Sequence, residues 1–217
     1  METRPLFRRY ASTGRDRSGA MEKDRLAAFS DGVVAIIVTI MVLELKAPHS
    51  ADWSALIPLA PTFASYALSF VYVAIYWNNH HHLLYAVSRV DGRVLWANMH
   101  LLFWLSLIPF ATAWMADNDF ARAPTILYGL TLLLPAIAYY LLTLAILRAD
   151  GPASPLAGAL GREVKGRASI ALYFCAIAGG YFVSPLLALA IYVGVAIMWF
   201  APDPRIERTV AGSRDQR

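Results

Sequence analysis

A serine and a carboxylate stand side by side near the start of the first strongly apolar segment of this chain. Ser30 and Asp31 fall within residues 25–46, where aliphatic side chains predominate. A carboxylate at the centre of a membrane-spanning helix costs about 2.5 to 3.5 kcal/mol on insertion scales. Asp31 must therefore face protein or water in the folded molecule.

A second polar group lies in the next apolar segment, where His80–His82 are three consecutive histidines. Side chains that follow one another on a helix point about 100° apart, so the three cannot all bind one metal ion. Depth favours another role. Asp31 is about 9 Å beyond Arg25, and His81 is about 12 Å before Arg89, at 1.5 Å per residue. In an antiparallel pair of helices, Asp31 and His81 therefore share a layer.

Two further polar residues, Asn98 and His100, fall in the third apolar segment. They either join this buried cluster or form hydrogen bonds locally. Pro109 and Pro135 are predicted to kink the helices that contain them, because proline removes a backbone donor.

Composition identifies the elements that must position these groups. The chain has 217 residues, of which 58% are hydrophobic and 16% charged, with 6 Trp and 11 Tyr. Such a chain is too apolar for an ordinary soluble domain and is typical of a single membrane domain with several spans. Cys175, the single cysteine, excludes an internal disulfide. No phosphate-binding loop, metal motif or catalytic triad spacing supports an enzyme or predicts a cofactor.

The fold class predicted is all-α, with six transmembrane helices, since about 20 apolar residues cross the hydrocarbon layer. The last two spans are the least regular: Gly179-Gly180 and Ser184-Pro185 interrupt the apolar run, so they could form one re-entrant pair. The six predicted spans are Arg25–Leu45, Ile57–Val87, Val94–Met115, Thr125–Leu147, Ala168–Phe182 and Pro185–Phe200.

Basic residues orient the bundle. With a cytoplasmic N-terminus, 17 of the 19 Lys and Arg residues lie on the cytoplasmic side, and Lys46 and Arg122 lie outside. This bias predicts an even number of spans with both termini in the cytoplasm. Residues 1–22 form a basic tail, 23–201 the membrane domain and 202–217 a second tail. The positive net charge follows from topology, and no pattern indicates nucleic-acid binding.

The first helix carries an apolar stripe that faces away from its carboxylate. Asp31 lies about 140° from Ile36 on a helical wheel. Such stripes commonly serve helix packing, but a helix that holds its polar groups against neighbours can also line a narrow pore with aliphatic side chains. The stripe contains Phe29, Val33, Ile36, Ile40 and Leu43.

This helix resembles the signature first helix of the transmembrane protein 175 family. The match consists of Arg25, the triplet Phe29-Ser30-Asp31, and Ile36, Thr39 and Leu43 at helical spacing. Members are potassium channels named for endolysosomal membranes, with shorter, single-repeat chains in bacteria, so the resemblance implies a protein of a bacterial plasma (inner) membrane. The matching residues cover about a tenth of the chain.

The resemblance implies a role for the stripe. First helices of neighbouring repeats surround an axis, so Ile36, Ile40 and Leu43 would form a constriction, with the Thr39 hydroxyl near the permeation path. No carbonyl-lined filter loop is present, and modest potassium over sodium selectivity would follow from easier dehydration of potassium. Two-repeat relatives act as dimers, so this chain is expected to form a homotetramer in lipid that conducts potassium and other monovalent cations.

The resemblance also implies a structural network at the start of the helix. Trp77 and one histidine of the next span would hold the Phe-Ser-Asp corner, with Arg25 as a counter-charge, and His80, His81 and His82 remain alternatives. The predicted network is Arg25, Phe29, Ser30, Asp31, Trp77 and His81. The competing hypothesis is a proton-coupled secondary transporter in which Asp31 and His81 form an intramembrane relay.

Overall fold

Helices account for the regular structure of this protein. The computed structural model describes residues 11–87, 89–151 and 164–200, and within them there is no β-strand. A 3-10 helix, Trp53–Leu59, precedes the second α-helix. The α-helices are α1 (Ala11–Leu43), α2 (Ala60–Ala86), α3 (Gly92–Leu105), α4 (Ile108–Asp117), α5 (Arg122–Asp150), α6 (Val164–Phe182) and α7 (Pro185–Phe200).

Four helical segments in the described residues are long and apolar enough to cross a membrane. They are Glu22–Leu43, Trp53–Ala86, Gly92–Asp117 and Arg122–Asp150. The helices α6 and α7 are shorter, with 19 and 16 residues. The predicted all-helical fold with six apolar helical segments is thus confirmed. The helix α1 begins at Ala11, inside the segment predicted as a tail, and the predicted tail at 202–217 lies outside the described residues.

The two prolines differ in effect. Pro109 stands at the start of α4, and the third span is broken there into α3 and α4, which Ser106 and Leu107 connect. Pro135 lies inside α5, which continues through it as one helix. A proline in the first turn removes an N–H that would be unpaired anyway, so Pro109 suits a new helix start.

A tight hairpin joins α6 to α7. Gly179 and Gly180 lie inside α6 and do not interrupt it. A Cβ at Gly179 would lie 3.0 Å from Leu187, and one at Gly180 would lie 3.0 Å from Ala188. The glycines therefore allow the two helices to approach closely. Ser184 begins the turn into α7, since its Oγ accepts a hydrogen bond from the Leu186 N–H at 3.2 Å.

The packing places α5 at the centre and α1 at one side. The helix α5 contacts α3, α4, α6 and α7. The helix α1 contacts α2, α3 and α4, so it lies in the groove between α2 and the broken α3–α4 span. One apolar cluster joins α1 to α2, α3 and α5, and a second fills the space between α2, α4, α5, α6 and α7. One face of α1 is thereby left open.

Candidate functional site: the two faces of the first helix

The inner face of α1 is closely packed. Its side chains recur at spacings of three and four residues, which is the period of one helix face. They are Leu26, Ser30, Val34, Ile37 and Met41, and each is at most 6% exposed. Four of these five are apolar, so burial of this face stabilises the protomer in the ordinary way, and Ser30 is the polar exception.

Ser30 belongs to a chain of buried hydrogen bonds that joins three helices. Its hydroxyl donates to the Leu26 carbonyl at 2.8 Å and accepts from Asn98 Nδ2 at 2.9 Å. Asn98 Oδ1 lies 2.6 Å from His80 Nε2. Since Asn98 uses its amide N–H towards Ser30, its oxygen accepts, and His80 Nε2 carries the proton. The cluster Ser30–Asn98–His80 fixes α1 against both α2 and α3.

Asp31 lies at the rim of this cluster and is half-buried. The indole N–H of Trp77 donates to Asp31 Oδ1 at 2.8 Å. The His81 ring stacks on Trp77, with centroids 5.7 Å apart and an interplanar angle of 29°. Two consecutive residues of α1 thus use different contacts: Ser30 bonds inward to α3, and Asp31 bonds sideways to α2.

The three histidines point in different directions, as helical geometry requires. His80 enters the buried cluster, His81 stays exposed against Trp77, and His82 meets the edge of the His81 ring at 5.7 Å. Two of the three histidines therefore approach the Phe-Ser-Asp corner, each through a different residue. His80 reaches Ser30 through Asn98, and His81 reaches Asp31 through Trp77.

A lysine joins the N-terminal half of α1 to the end of α2. Lys23 Nζ donates to the carbonyls of Tyr85 at 2.6 Å and Val87 at 3.1 Å, and it lies 5.3 Å from the Tyr85 ring centroid. Arg25 is exposed and has no hydrogen-bond or ion-pair partner within the described part of the chain. Its role as a counter-charge to Asp31 stays a prediction.

The outer face of α1 is exposed and is not covered by the residues that the structure describes. Thr39 lies on this face, and its hydroxyl bonds the carbonyls of Ala35 and Ile36 at 3.0 Å, within its own helix. Val33 does not continue this face, because it packs partly against the core. The open apolar side chains are Phe29 at 53%, Ile36 at 58%, Ile40 at 43% and Leu43 at 73% exposure.

Asn98 is the residue whose role the sequence left open. Its amide bridges α1 and α2, whereas His100 bonds locally and accepts from the Trp104 indole at 2.8 Å. The signal was the presence of both residues in an apolar segment. Their separation by two positions places them about 200° apart on α3, so they could not share a role.

A second polar cluster holds the far side of the bundle, and no sequence pattern singled it out. Ser69 Oγ lies 2.7 Å from Thr112 Oγ1 and 3.0 Å from the Tyr128 hydroxyl. The Tyr192 hydroxyl donates to the Thr125 carbonyl at 3.3 Å, and its ring occupies the place that a side chain on Gly129 would need. These contacts join α2 to α4 and α5, and α5 to α7.

The fold and the site define a polytopic α-helical membrane protein whose first helix is anchored on one face and open on the other. The family model described as "Endosomal/lysosomal potassium channel TMEM175" matches residues 25–109. A potassium channel of Chryseobacterium sp. (strain P1-3) is 50% identical over 190 residues, which cover 88% of this chain and 98% of that protein. The chain belongs to the TMEM175 family, and the resemblance seen in the first helix is confirmed.

Two further comparisons extend this result. The crystal structure of a homologue of the lysosomal potassium-selective channel TMEM175 from Chamaesiphon minutus matches with a TM-score of 0.72 at 29% identity. That match covers 82% of this chain and 96% of the crystallised chain. The human endosomal/lysosomal proton channel TMEM175 is 30% identical over 116 residues, which cover 48% of this chain and 23% of that protein. Some relatives are thus named as potassium channels and others as proton channels.

Proposed function

We propose that this chain is one subunit of a potassium-permeable cation channel whose pore is lined by the outer face of α1. The observation that carries the proposal is the contrast between the two faces of that helix. Ser30, Asn98 and His80 fix the rotation of α1, and this rotation turns Ile36 and Ile40 out of the protomer. The potassium channel of Chryseobacterium, half identical in sequence, supports the choice of ion.

A ring of aliphatic side chains gives a particular kind of selectivity. Ile36, Ile40 and Leu43 offer no oxygen to replace the water around an ion, so passage requires partial dehydration at a narrow apolar constriction. Potassium loses water more readily than sodium, and this difference gives a modest preference for potassium. Thr39 adds a hydroxyl between the apolar layers, with its proton directed to backbone carbonyls of its own helix.

A single α1 cannot enclose an axis. A pore needs several copies of the helix, and identical subunits supply them most simply through closed rotational symmetry. We infer four copies, with α1 at the axis and the remaining helices outside it. The excess of Lys and Arg in the segments assigned to the cytoplasmic side supports both termini inside. The bacterial potassium channels among the relatives support a bacterial inner membrane location.

The alternative, a proton-coupled transporter, has less support. A relay from Asp31 to His81 would use direct hydrogen bonds, whereas Asp31 bonds the indole of Trp77 and His81 stacks on the same indole. The indole N–H donates and cannot accept a proton in turn. Because the human relative is named a proton channel, proton permeation should be measured beside potassium flux.

The test is ion flux through the purified protein in liposomes that carry an outward potassium gradient. We expect potassium efflux, slower sodium efflux under the matching gradient, and none from protein-free liposomes. Native mass measurement in detergent should give four chains. Proton uptake without any potassium or sodium conductance, or conduction by a strict monomer or dimer, contradicts the proposal.

A further inference from the structure

We propose that neighbouring subunits meet through two exposed stripes, one on α2 centred on Asn78 and one on α3 centred on His100. This inference rests on the tetramer of the proposed function and specifies its contacts. The α2 stripe contains the exposed residues Ala74, Asn78 and His82, and the α3 stripe contains the exposed residues Trp96, His100 and Phe103.

Each stripe carries a polar group that its own protomer does not satisfy. Asn78 is exposed, and its carboxamide has no hydrogen-bond partner among the described residues. His100 accepts from Trp104 at Nε2, so the neutral ring carries its proton on Nδ1, and no described residue accepts from that N–H. An unpaired polar group in hydrocarbon costs several kcal/mol. Lipid tails cannot supply the missing partner.

The two stripes lie on opposite sides of the protomer. On α2, Asn78 is two residues from His80, and on α3, His100 is two residues from Asn98, so each pair diverges by about 200°. His80 and Asn98 point at each other, with Nε2 and Oδ1 2.6 Å apart. Asn78 and His100 therefore point outward in opposite directions, with α1 and Ser30 between the two helices.

The two stripes also match in depth. Asn78 is eight residues before the end of α2 at Ala86, and His100 is eight residues after the start of α3 at Gly92. Both lie about 12 Å from the α2–α3 turn.

The same correspondence holds one helical turn closer to the turn between the helices. His82 and Trp96 are each four residues from that turn, about 6 Å along the helix axis. Matched depth at both positions is what a contact between parallel subunits requires.

A second copy of this chain is the occupant that fits. Rotation about an axis beside α1 brings the α2 stripe of one subunit to the α3 stripe of the next, and the same contact repeats until the ring closes. Asn78 Oδ1 can accept from His100 Nδ1 across that contact, and the amide N–H groups of Asn78 face the aromatic residues around it.

Disulfide cross-linking tests this contact. In a Cys175→Ala background, the double variant Asn78→Cys with His100→Cys should form dimers, trimers and tetramers under mild oxidation, because every subunit offers one cysteine to each neighbour. Each single variant should remain monomeric on a denaturing gel, since the contact joins unlike surfaces. The pair His82→Cys with Trp96→Cys should give the same ladder.

A matched control uses two exposed residues of α5 and α6 at similar depth, Leu141→Cys with Phe174→Cys, which should give no ladder. A tetrameric, potassium-conducting protein in which neither stripe pair gives a ladder overturns the interface and leaves the proposed function intact. Cross-linking by the single variants overturns it as well, because it shows that like surfaces meet. If the unmodified protein forms no tetramer and conducts no potassium, the proposed function itself is overturned.

Discussion

The two faces of α1 are similar in hydrophobicity and opposite in environment. Val34 and Ile37 are at most 6% exposed, whereas Ile36 and Ile40 are 58% and 43% exposed on the other side of the same two turns. The apolar side chains alone do not decide which face turns inward. Ser30 decides it, because its hydrogen bond from Asn98 requires that face to meet α3. A buried polar contact therefore sets the rotation of an otherwise ambiguous helix.

The polar cluster and the aliphatic stripe therefore depend on each other, because the cluster sets the rotation of α1 that exposes the stripe. The cluster Ser30–Asn98–His80 lies towards the N-terminal end of the apolar part of α1, and the open stripe extends from there to Leu43. If the cluster fails, the helix can rotate and the stripe loses its position. Substitutions on the inner face should therefore damage folding, and those on the outer face should change conduction.

The largest effect should come from Asn98→Leu. The change keeps the branched shape of the side chain but strands the His80 N–H and removes the donor to Ser30, at ~1–3 kcal/mol for each buried group left unpaired. We expect loss of most folded tetramer, measured by gel filtration and thermal unfolding in detergent. Asn118→Leu is the control, since Asn118 is exposed and bonds the Trp114 carbonyl of its own helix end. Equal losses in both variants would show that the cluster has no special role.

A smaller effect is expected at the rim, where Trp77 donates to Asp31. Trp77 is 42% exposed, so water can partly replace the bond, and we expect a coupling of about 1 kcal/mol from a double-mutant cycle of Trp77→Phe and Asp31→Ala. The measurement is the free energy of unfolding of the single and double variants. Additive changes would mean that the bond does not stabilise the protomer.

The smallest effect on stability is expected from Thr39→Val. The Thr39 hydroxyl is exposed and bonds carbonyls of its own helix, so its loss should change the free energy of unfolding by less than about 0.5 kcal/mol. Thr112→Val is the matched comparison, because the buried Thr112 hydroxyl also lies 2.7 Å from Ser69 Oγ on α2. A thermal shift for Thr39→Val as large as that for Thr112→Val would place Thr39 in a packed interface.

The sequence was sufficient for the helical segments and for the layer in which the polar groups meet. Span length, charge bias and the count of residues from Arg25 and Arg89 depend on the chain alone. The hydrogen bond between Trp77 and Asp31 lies in the layer that this count predicts. The open position of Ile36, Ile40 and Leu43 followed from their angle to Asp31 on a helical wheel.

The rotation and the continuity of each helix depend on tertiary contacts, so they could not be predicted from the sequence alone. Neighbouring histidines differ by 100°, so the choice of His80 for the buried cluster required the position of Asn98. Pro135 lies inside the continuous helix α5, which contacts four other helices, whereas Pro109 begins a new helix. The start of α1 at Ala11 had no apolar signal, since charged residues fill that segment.

Flux through the Ile36→Asn variant tests whether the outer face of α1 forms the constriction. A polar side chain should hydrate the apolar ring, so potassium efflux from liposomes should rise severalfold and the preference for potassium over sodium should weaken. Ile197→Asn is the control, because Ile197 is 63% exposed on α7 and carries the same change away from the axis. Unchanged flux and selectivity in both Ile36→Asn and Ile40→Asn would show that the outer face of α1 does not form the constriction.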